Sequence, residues 1–190
     1  MHIAEGETVL VTAAGSGVGS FGVQIAVASG CRVIATASVR SGATVDKLAE
    51  ARAIGAAVAL DSRRNDLADA VLAATDGLGV DVVLDHVGTP LWKSVMRTLR
   101  PWGRYVTTGV TAGHRVDLHL GQVFVKGLTI TGVGRPTDAQ IRRTLEGLLS
   151  LVGSGDVVPR IAASFPLAQI ADAHALMETD DFFGKIVLTV

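Results

Sequence analysis

The sequence predicts a doubly wound α/β fold, in which a parallel sheet of about six strands in the order 3-2-1-4-5-6 carries helices on both faces. Three observations support this. Short β-branched runs alternate along the chain with segments of helical period, which is typical of βαβ units. The 190 residues are 48% hydrophobic but only 4% aromatic, which suits aliphatic strands covered on two sides. The 22 glycines fit the many tight turns of such a fold, and we expect one domain over residues 1–190.

The first half of the chain contains three strand–helix pairs. The run TVLVT is followed by a segment whose apolar residues change to a helical period. Thr44 is the expected N-cap of the second helix and Gly55 its stop. In order, the predicted strands are 8–12, 32–37 and 57–60, and the predicted helices are 17–29, 44–54 and 66–75.

The second half continues the alternation. A helix is expected to start at Thr89-Pro90 and to end at Pro101. An amphipathic helix is predicted around Ile141 and Leu145, and Pro166 is expected to open a last helix. The predicted strands of this half are 81–85, 104–109, 128–133 and 185–190.

Composition excludes several classes of protein. The formal net charge is −1 without runs of like charge, so neither nucleic acid nor an anionic membrane is an expected partner. No apolar stretch is long enough to span a membrane, and no signal peptide is visible. The single cysteine, Cys31, fits a reducing compartment, so we expect a cytoplasmic protein.

A glycine-rich turn joins the first strand to the first helix, from Ala14 to Gly19. Small residues there permit a sharp reversal and bring bare backbone close to a ligand. The helix start would point unpaired amides, from around Gly17 to Gly19, at a pyrophosphate. The strict GxGxxG frame reads Ala14, Ser16, Gly19, so the alternative is that this segment is only a turn.

The end of the second strand bears on the choice of coenzyme. An NAD site places an acid there to hold the ribose hydroxyls, but this chain has Ala37-Ser38-Val39-Arg40, with Lys47 about one helical turn beyond. A hydroxyl and two cations suit a 2′-phosphate, so the sequence favours NADPH over NADH. The alternative is that Arg40 is a solvated loop residue.

Two further strand ends should face the same crevice. They carry Val87 and Gly88 after one strand and Gly109, Val110 and Thr111 after the other, and glycines there would admit the nicotinamide half. At the first of these ends His86 could be catalytic, but it is also interpretable as a hydrogen-bonded spectator. On the last helix His174 is expected to be a packing residue.

The ordered segments TVLVTAAGSGVGSFGVQIA, VIATAS, GVDVVLDHVG, GRYVTTG, KGLTITG and FPLAQIADAHALMETDDFFGKIVLTV resemble medium-chain dehydrogenase/reductases. Within that superfamily the chain is most similar to the zinc-type alcohol dehydrogenase and quinone oxidoreductase branch, along essentially its whole length.

The resemblance implies pyrophosphate contacts from Ser16, Gly17 and Val18, and 2′-phosphate contacts from Ser38 and Lys47. It also implies contacts to the ribose and nicotinamide from Val87, Gly88, Gly109 and Thr111. The loop after Val39 is longer than usual, and Ser62 stands where the family often has a tyrosine that holds the adenosine. Dimers made by joining edge strands are implied too, and the apolar run from Leu128 to Val133 is the candidate edge.

Residues for chemistry on the substrate are not evident. The chain has no zinc-ligand set or HExxH motif, no P-loop lysine and no GxSxG spacing. Short-chain dehydrogenases use a tyrosine with a lysine four residues later, but here the residue four positions after Tyr105 is Gly109. We therefore predict no catalytic and no metal-ligating residue. In the family a GroES-like catalytic domain lies upstream, so we expect that catalytic groups, including any zinc, come from that missing domain.

The favoured hypothesis is thus an NADPH-binding domain of an oxidoreductase acting on a carbonyl, enone or quinone. A stand-alone redox-sensing module that acts through a partner protein is one alternative. A different Rossmann enzyme that uses S-adenosylmethionine is another.

Overall fold

The described part of the chain, residues 3–190 of a computed structural model, alternates strands with helices as predicted. The strands are β1 (Thr8–Val11), β2 (Arg32–Ala37), β3 (Val58–Asp61), β4 (Val80–Asp85), β5 (Leu99–Thr107), β6 (Thr129–Gly132), β7 (Ile161–Pro166) and β8 (Lys185–Thr189). The α-helices are α1 (Gly17–Ala28), α2 (Lys47–Ala53), α3 (Leu67–Ala73), α4 (Thr89–Thr98), α5 (Leu120–Lys126), α6 (Asp138–Ser154) and α7 (Ile170–Thr179). A 3₁₀ turn, Leu167–Gln169, precedes α7.

The first six strands form one sheet in the order β3-β2-β1-β4-β5-β6, and every neighbouring pair in it is parallel. This confirms the predicted fold class and strand order. The chain leaves β1 toward β2 and β3 and then returns to place β4 on the other side of β1. In such sheets ligands bind beyond the carboxyl ends of the strands where the order reverses, which here is between β1 and β4.

Two separate apolar cores cover the two faces of this sheet. Along β1 the side chains alternate, so Val9 and Val11 join one core with Val23 of α1, whereas Leu10 joins the other with Val95 of α4. All five side chains are buried. Helices therefore lie on both faces, as the aliphatic composition predicted.

Several helix boundaries differ from the predictions. Pro166, expected to open the last helix, is the last residue of β7, and α7 begins at Ile170 after the 3₁₀ turn. Asp46, not Thr44, caps α2, because its carboxylate accepts the backbone N–H groups of Leu48 and Ala49 at 3.1 and 3.0 Å. Helix α4 ends at Thr98, and Pro101 lies inside β5 instead of terminating the helix. The chain turns extended at Leu99 because that residue already pairs with Val80 of β4.

The C-terminal part holds two elements that the sequence did not predict, α5 and β7. Strand β8 forms where KIVLTV predicted a strand, but it pairs in parallel with β7 in a second, two-stranded sheet. A backbone hydrogen bond of 2.8 Å from Gly184 to the carbonyl oxygen of Gly15 joins the start of β8 to the glycine turn. The C-terminal segment therefore lies against the ligand-binding edge of the main sheet.

Helix α6 forms where the amphipathic pattern predicted it, and it begins with a capping box between Thr137 and Gln140. Its apolar residues Ile141, Leu145 and Leu149 are nevertheless exposed. Over residues 3–190, no helix combines the length and the apolar character that crossing a bilayer requires.

Candidate functional site

The glycine turn places the start of α1 beside the end of β1. Ser16 is the N-cap, and its hydroxyl oxygen accepts the backbone N–H of Gly19 at 2.9 Å. The amide of Gly19 is thus already satisfied, in contrast to the sequence interpretation that it faces the ligand. The amides of Gly17 and Val18 are the helix-start donors without an acceptor one turn back in the helix, and they are the pair available to a phosphate.

Glycines on α1 are required by packing as well as by any ligand. An added Cβ at Gly19 would clash with the carbonyl oxygen of Ala13, and one at Gly22 would lie 2.6 Å from Cδ2 of Leu84 on β4. At Gly19, helix α1 therefore lies against the backbone of the turn at a distance that only glycine allows, whereas at Gly22 the end of the flexible Leu84 side chain could shift.

His86 links the glycine turn to the end of β4. Its Nε2 lies 2.9 Å from the hydroxyl oxygen of Ser16, and the ring is buried. Burial lowers the pKa of His86, and the nearby charge of Asp85 opposes that shift only in part. Among residues 3–190 no group is within hydrogen-bonding distance of its buried Nδ1. These contacts match the spectator interpretation, in which His86 orients the N-cap serine.

Asp85 is the centre of a buried network at the same strand end. Its carboxylate accepts hydrogen bonds from Thr12 Oγ1 and Tyr105 Oη, both at 2.6 Å, and from the backbone N–H groups of Val87 and Gly88 at 3.1 and 2.9 Å. The residue is completely buried. This network fixes the β4–α4 turn relative to β1 and β5, so the strand ends that form the crevice are held as one unit.

The residues predicted after β4 and β5 are brought together on this edge. Thr111 donates its backbone N–H and its hydroxyl to the carbonyl oxygen of His86, both at 3.0 Å. Gly88 is buried with a φ of +89°, and an added Cβ would clash with the carbonyl oxygen of Gly113. Gly109 packs beside His86, and Val110 is exposed at the rim.

The three residues predicted to bind a 2′-phosphate also converge, and they do so on a carboxylate. Ser38 Oγ donates to Asp180 Oδ2 at 2.9 Å, Lys47 Nζ lies 2.7 Å from Asp180 Oδ1, and Arg40 Nε lies 3.6 Å from Asp180 Oδ2. Arg40 also donates to the carbonyl oxygen of Thr179 at 2.8 Å. Sequence reasoning missed Asp180, because a residue 142 positions after Ser38 gives no local signal. The prediction that no acid lies at this strand end is wrong.

Further residues of the C-terminal segment reach the same edge. Asp181 accepts the backbone N–H groups of Thr44 and Val45 at 2.9 and 3.0 Å, which ties the segment to the loop before α2. An added Cβ at Gly17 would clash with Cε and Nζ of Lys185, so the Lys185 ammonium lies over the start of α1. Lys185 was missed for the same reason as Asp180.

Ser62 and His174, two other residues considered in the sequence, lie at different places in the structure. Ser62 follows β3, and its backbone N–H donates to the carbonyl oxygen of Ala37 at 2.9 Å, beside the adenosine end of the crevice. His174 is exposed on α7, so the prediction that it is a packing residue is wrong. In the described range no cluster of three or more His, Cys, Asp or Glu side chains has the arrangement of a metal site.

Comparison with known proteins gives a consistent result. The family model described as zinc-binding dehydrogenase matches residues 17–153. The chain is 32% identical over 190 residues to an acryloyl-coenzyme A reductase of Metallosphaera sedula, covering 99% of this chain and 52% of that protein. It is 33% identical over 188 residues to a quinone oxidoreductase of Pseudomonas aeruginosa, covering 96% of this chain and 56% of that one.

Solved structures agree with the sequence relatives. An NAD-dependent alcohol dehydrogenase superposes with a TM-score of 0.86 at 35% identity, over 99% of this chain and 52% of that one. A mycobacterial protein solved in complex with NADPH superposes with a TM-score of 0.83 at 25% identity, over 99% of this chain and 58% of that one. The chain spans about half the length of the curated relatives it matches. With more than half of its residues matched by the family model and its fold shared with these oxidoreductases, the chain belongs to the zinc-binding dehydrogenase family.

Proposed function

We propose that this chain is the coenzyme-binding domain of an oxidoreductase that transfers a hydride between NADP(H) and a carbonyl, enone or quinone substrate. The groups that activate the substrate, including any zinc, would come from a GroES-like part of the protein outside residues 1–190. The similarity to reductases and dehydrogenases supports the reaction class.

One observation carries the proposal. The hydroxyl of Ser38 and the cations of Arg40 and Lys47 all point at the same anion, the carboxylate of Asp180, at the end of β2. A donor set that holds one anion has the chemistry to hold a phosphoryl group in its place. The helix-start amides of Gly17 and Val18 lie on the same edge of the sheet, where a pyrophosphate would be expected.

A bound dinucleotide would be held at three places. Gly17 and Val18 would donate to the pyrophosphate, and Ser38, Arg40 and Lys47 would hold the adenosine end. Ser16 caps the amide of Gly19 and so fixes the start of α1 that presents these two amides, and His86 in turn contacts Ser16. The turns that contain Val87, Gly88, Gly109, Val110 and Thr111 would receive the nicotinamide half, which supplies the hydride when the coenzyme is bound.

Titration of the purified chain with NADPH and NADH, followed by coenzyme fluorescence, tests the proposal. We expect saturable binding of NADPH that weakens about tenfold in Lys47→Gln, because a charge-assisted contact to the phosphate is lost. Binding of NADH should change by less than about twofold, since its ribose carries no phosphate. The chain alone should reduce quinones or enones very slowly. Well-folded protein that binds neither coenzyme would refute the proposal.

We also propose that the protein forms a dimer through β6. This strand pairs only with β5 in the described structure, and Ile130 on it is exposed. An edge strand with free backbone groups can pair with a second copy of the same chain.

A cytoplasmic location is part of the proposal. It is supported by Cys31, which is buried as a free thiol, the form expected in a reducing compartment.

A further inference from the structure

We infer that Asp180 is a specificity-determining residue of the coenzyme site, because its carboxylate occupies the position that the 2′-phosphate of NADP(H) would take. A coenzyme that carries this phosphate must displace Asp180 from its partners, whereas NAD(H) can bind beside it. The inference rests on the proposed function and adds to it the residue that opposes the phosphate.

The first support is the geometry of the carboxylate. Asp180 uses both oxygens, one toward Lys47 Nζ at 2.7 Å and the other toward Ser38 Oγ at 2.9 Å. The Lys47 side chain is only 8% exposed, so its ammonium group has little contact with solvent and Asp180 is its charged partner. Any other anion that binds Lys47 therefore competes directly with this carboxylate.

The second support is that Asp180 is held in place from both sides. It is the C-cap of α7 in the left-handed conformation, with φ of +53° and ψ of +22°. On one side Arg40 binds the carbonyl oxygen of Thr179. On the other, Asp181 accepts two backbone N–H groups and the hydroxyl of Thr44 from the loop before α2. The carboxylate is thus presented to Ser38 and Lys47 by a fixed turn.

The third support is the space at this end of the crevice. A cavity of about 120 Å³ lies between the glycine turn and the end of β2, and Asp180 and Phe182 form its far wall. Because Asp180 lines this cavity together with Ser38 and Lys47, an anionic group that enters it at the end of β2 meets the Asp180 carboxylate.

Charge decides between the two coenzymes. Burial opposes the charge on Asp180, but hydrogen bonds from Lys47 and Ser38 outweigh it and hold its pKa below the usual value, so it is ionised at neutral pH. A 2′-phosphate beside it would place like charges in contact and would share the same donors. A ribose hydroxyl could instead donate a hydrogen bond to the carboxylate, as acids do in NAD sites.

The test compares coenzyme binding by the wild type, Asp180→Asn and Asp172→Asn. Asparagine tolerates the left-handed conformation, so Asp180→Asn should fold. Asp172 is exposed on the same helix, and its replacement makes the same change of net charge away from the site. We expect Asp180→Asn to raise the ratio of the NADH Kd to the NADPH Kd about tenfold, and Asp172→Asn to leave it within about twofold.

Each outcome is decisive. An unchanged ratio in Asp180→Asn, with saturable binding of both coenzymes, would overturn the role of Asp180 and leave the proposed function intact. Failure of every protein to bind either coenzyme would overturn both. If Asp180→Asn does not fold, Asp180→Gly fits the same backbone conformation and must show the same rise in the ratio.

Discussion

Tyr105 on β5 donates its phenolic hydrogen bond to Asp85 at the end of β4, with 2.6 Å between the two oxygens. Burial raises the pKa of Tyr105, and the hydrogen bond to Asp85 raises it further. The ring packs edge-on against Trp92, at 5.0 Å between ring centroids. The only tyrosine of the chain therefore has a structural role, since it completes the buried network that holds the strand ends of the crevice.

Replacing Tyr105 with phenylalanine should destabilise the fold. The ring stays in contact with Trp92, but the buried carboxylate of Asp85 loses a donor, which costs about 1–3 kcal/mol. Urea denaturation measures the free energy of unfolding. Thr108→Val, which removes an exposed hydroxyl from the loop that follows the same strand, is the control and should change that free energy by less than about 0.5 kcal/mol. Equal unfolding midpoints for Tyr105→Phe and the wild type would contradict this prediction.

Gly19→Ala should be destabilising even without coenzyme. The new Cβ would clash with the carbonyl oxygen of Ala13, a backbone atom that cannot move aside, so we expect a loss of at least about 1–3 kcal/mol. The matched control is Gly147→Ala in α6, where an added Cβ meets nothing within 4 Å. Alanine there should leave stability unchanged or raise it by up to about 1 kcal/mol. A Gly19→Ala protein as stable as the control in urea would show that α1 is not so tightly packed.

His86 should make stability depend on pH in a defined window. Burial lowers the pKa of His86 in the folded chain below its unfolded value of about 6.5, so between the two pKa values the unfolded state binds more protons. The contribution of neutral His86 to the free energy of unfolding is therefore complete above about pH 6.5, and it is lost as the pH falls toward the folded pKa. Unfolding free energies measured from pH 5 to 7 should show this slope in the wild type and lose it in His86→Gln.

The control for this pH dependence is His174→Gln, which replaces an exposed histidine and should keep the wild-type slope. Acids whose pKa is lowered in the folded chain, such as Asp181, change the free energy of unfolding near and below about pH 4, which lies outside the range from pH 5 to 7. A His86→Gln protein with the wild-type slope would rule out His86 as its origin.

The proposed dimer predicts a concentration dependence of sedimentation. We expect Ile130→Lys, which places a charge on the edge strand β6, to weaken self-association by at least about tenfold, or about 1.4 kcal/mol. Leu78→Lys is the control, because Leu78 is 74% exposed and lies in the loop before β4, outside the edge strand. A wild-type protein that sediments as a monomer at every concentration would exclude pairing through β6.

Much of the fold could be predicted because its signals are local. The β-branched runs of β1 and β2, the change of period at Gly17 and the stop of the second helix at Gly55 all appear within a few neighbouring residues. The places where the prediction failed depended on contacts distant in sequence. Pro101 is part of a strand because β5 starts at Leu99 against β4. Strand β8 lies in a separate sheet because it pairs with β7, a strand that the sequence did not predict.

By itself the sequence determined the parallel sheet, its strand order and the helix start that suits a pyrophosphate, because period and turn composition are read from adjacent residues. Only the tertiary structure decided what surrounds Ser38 and Lys47. The carboxylate of Asp180 reaches them from the far end of the chain, and pairing of β7 with β8 carries it there. A charge separated by more than a hundred residues leaves no local pattern, yet its carboxylate lies 2.7 Å from the Lys47 ammonium and pairs with it directly.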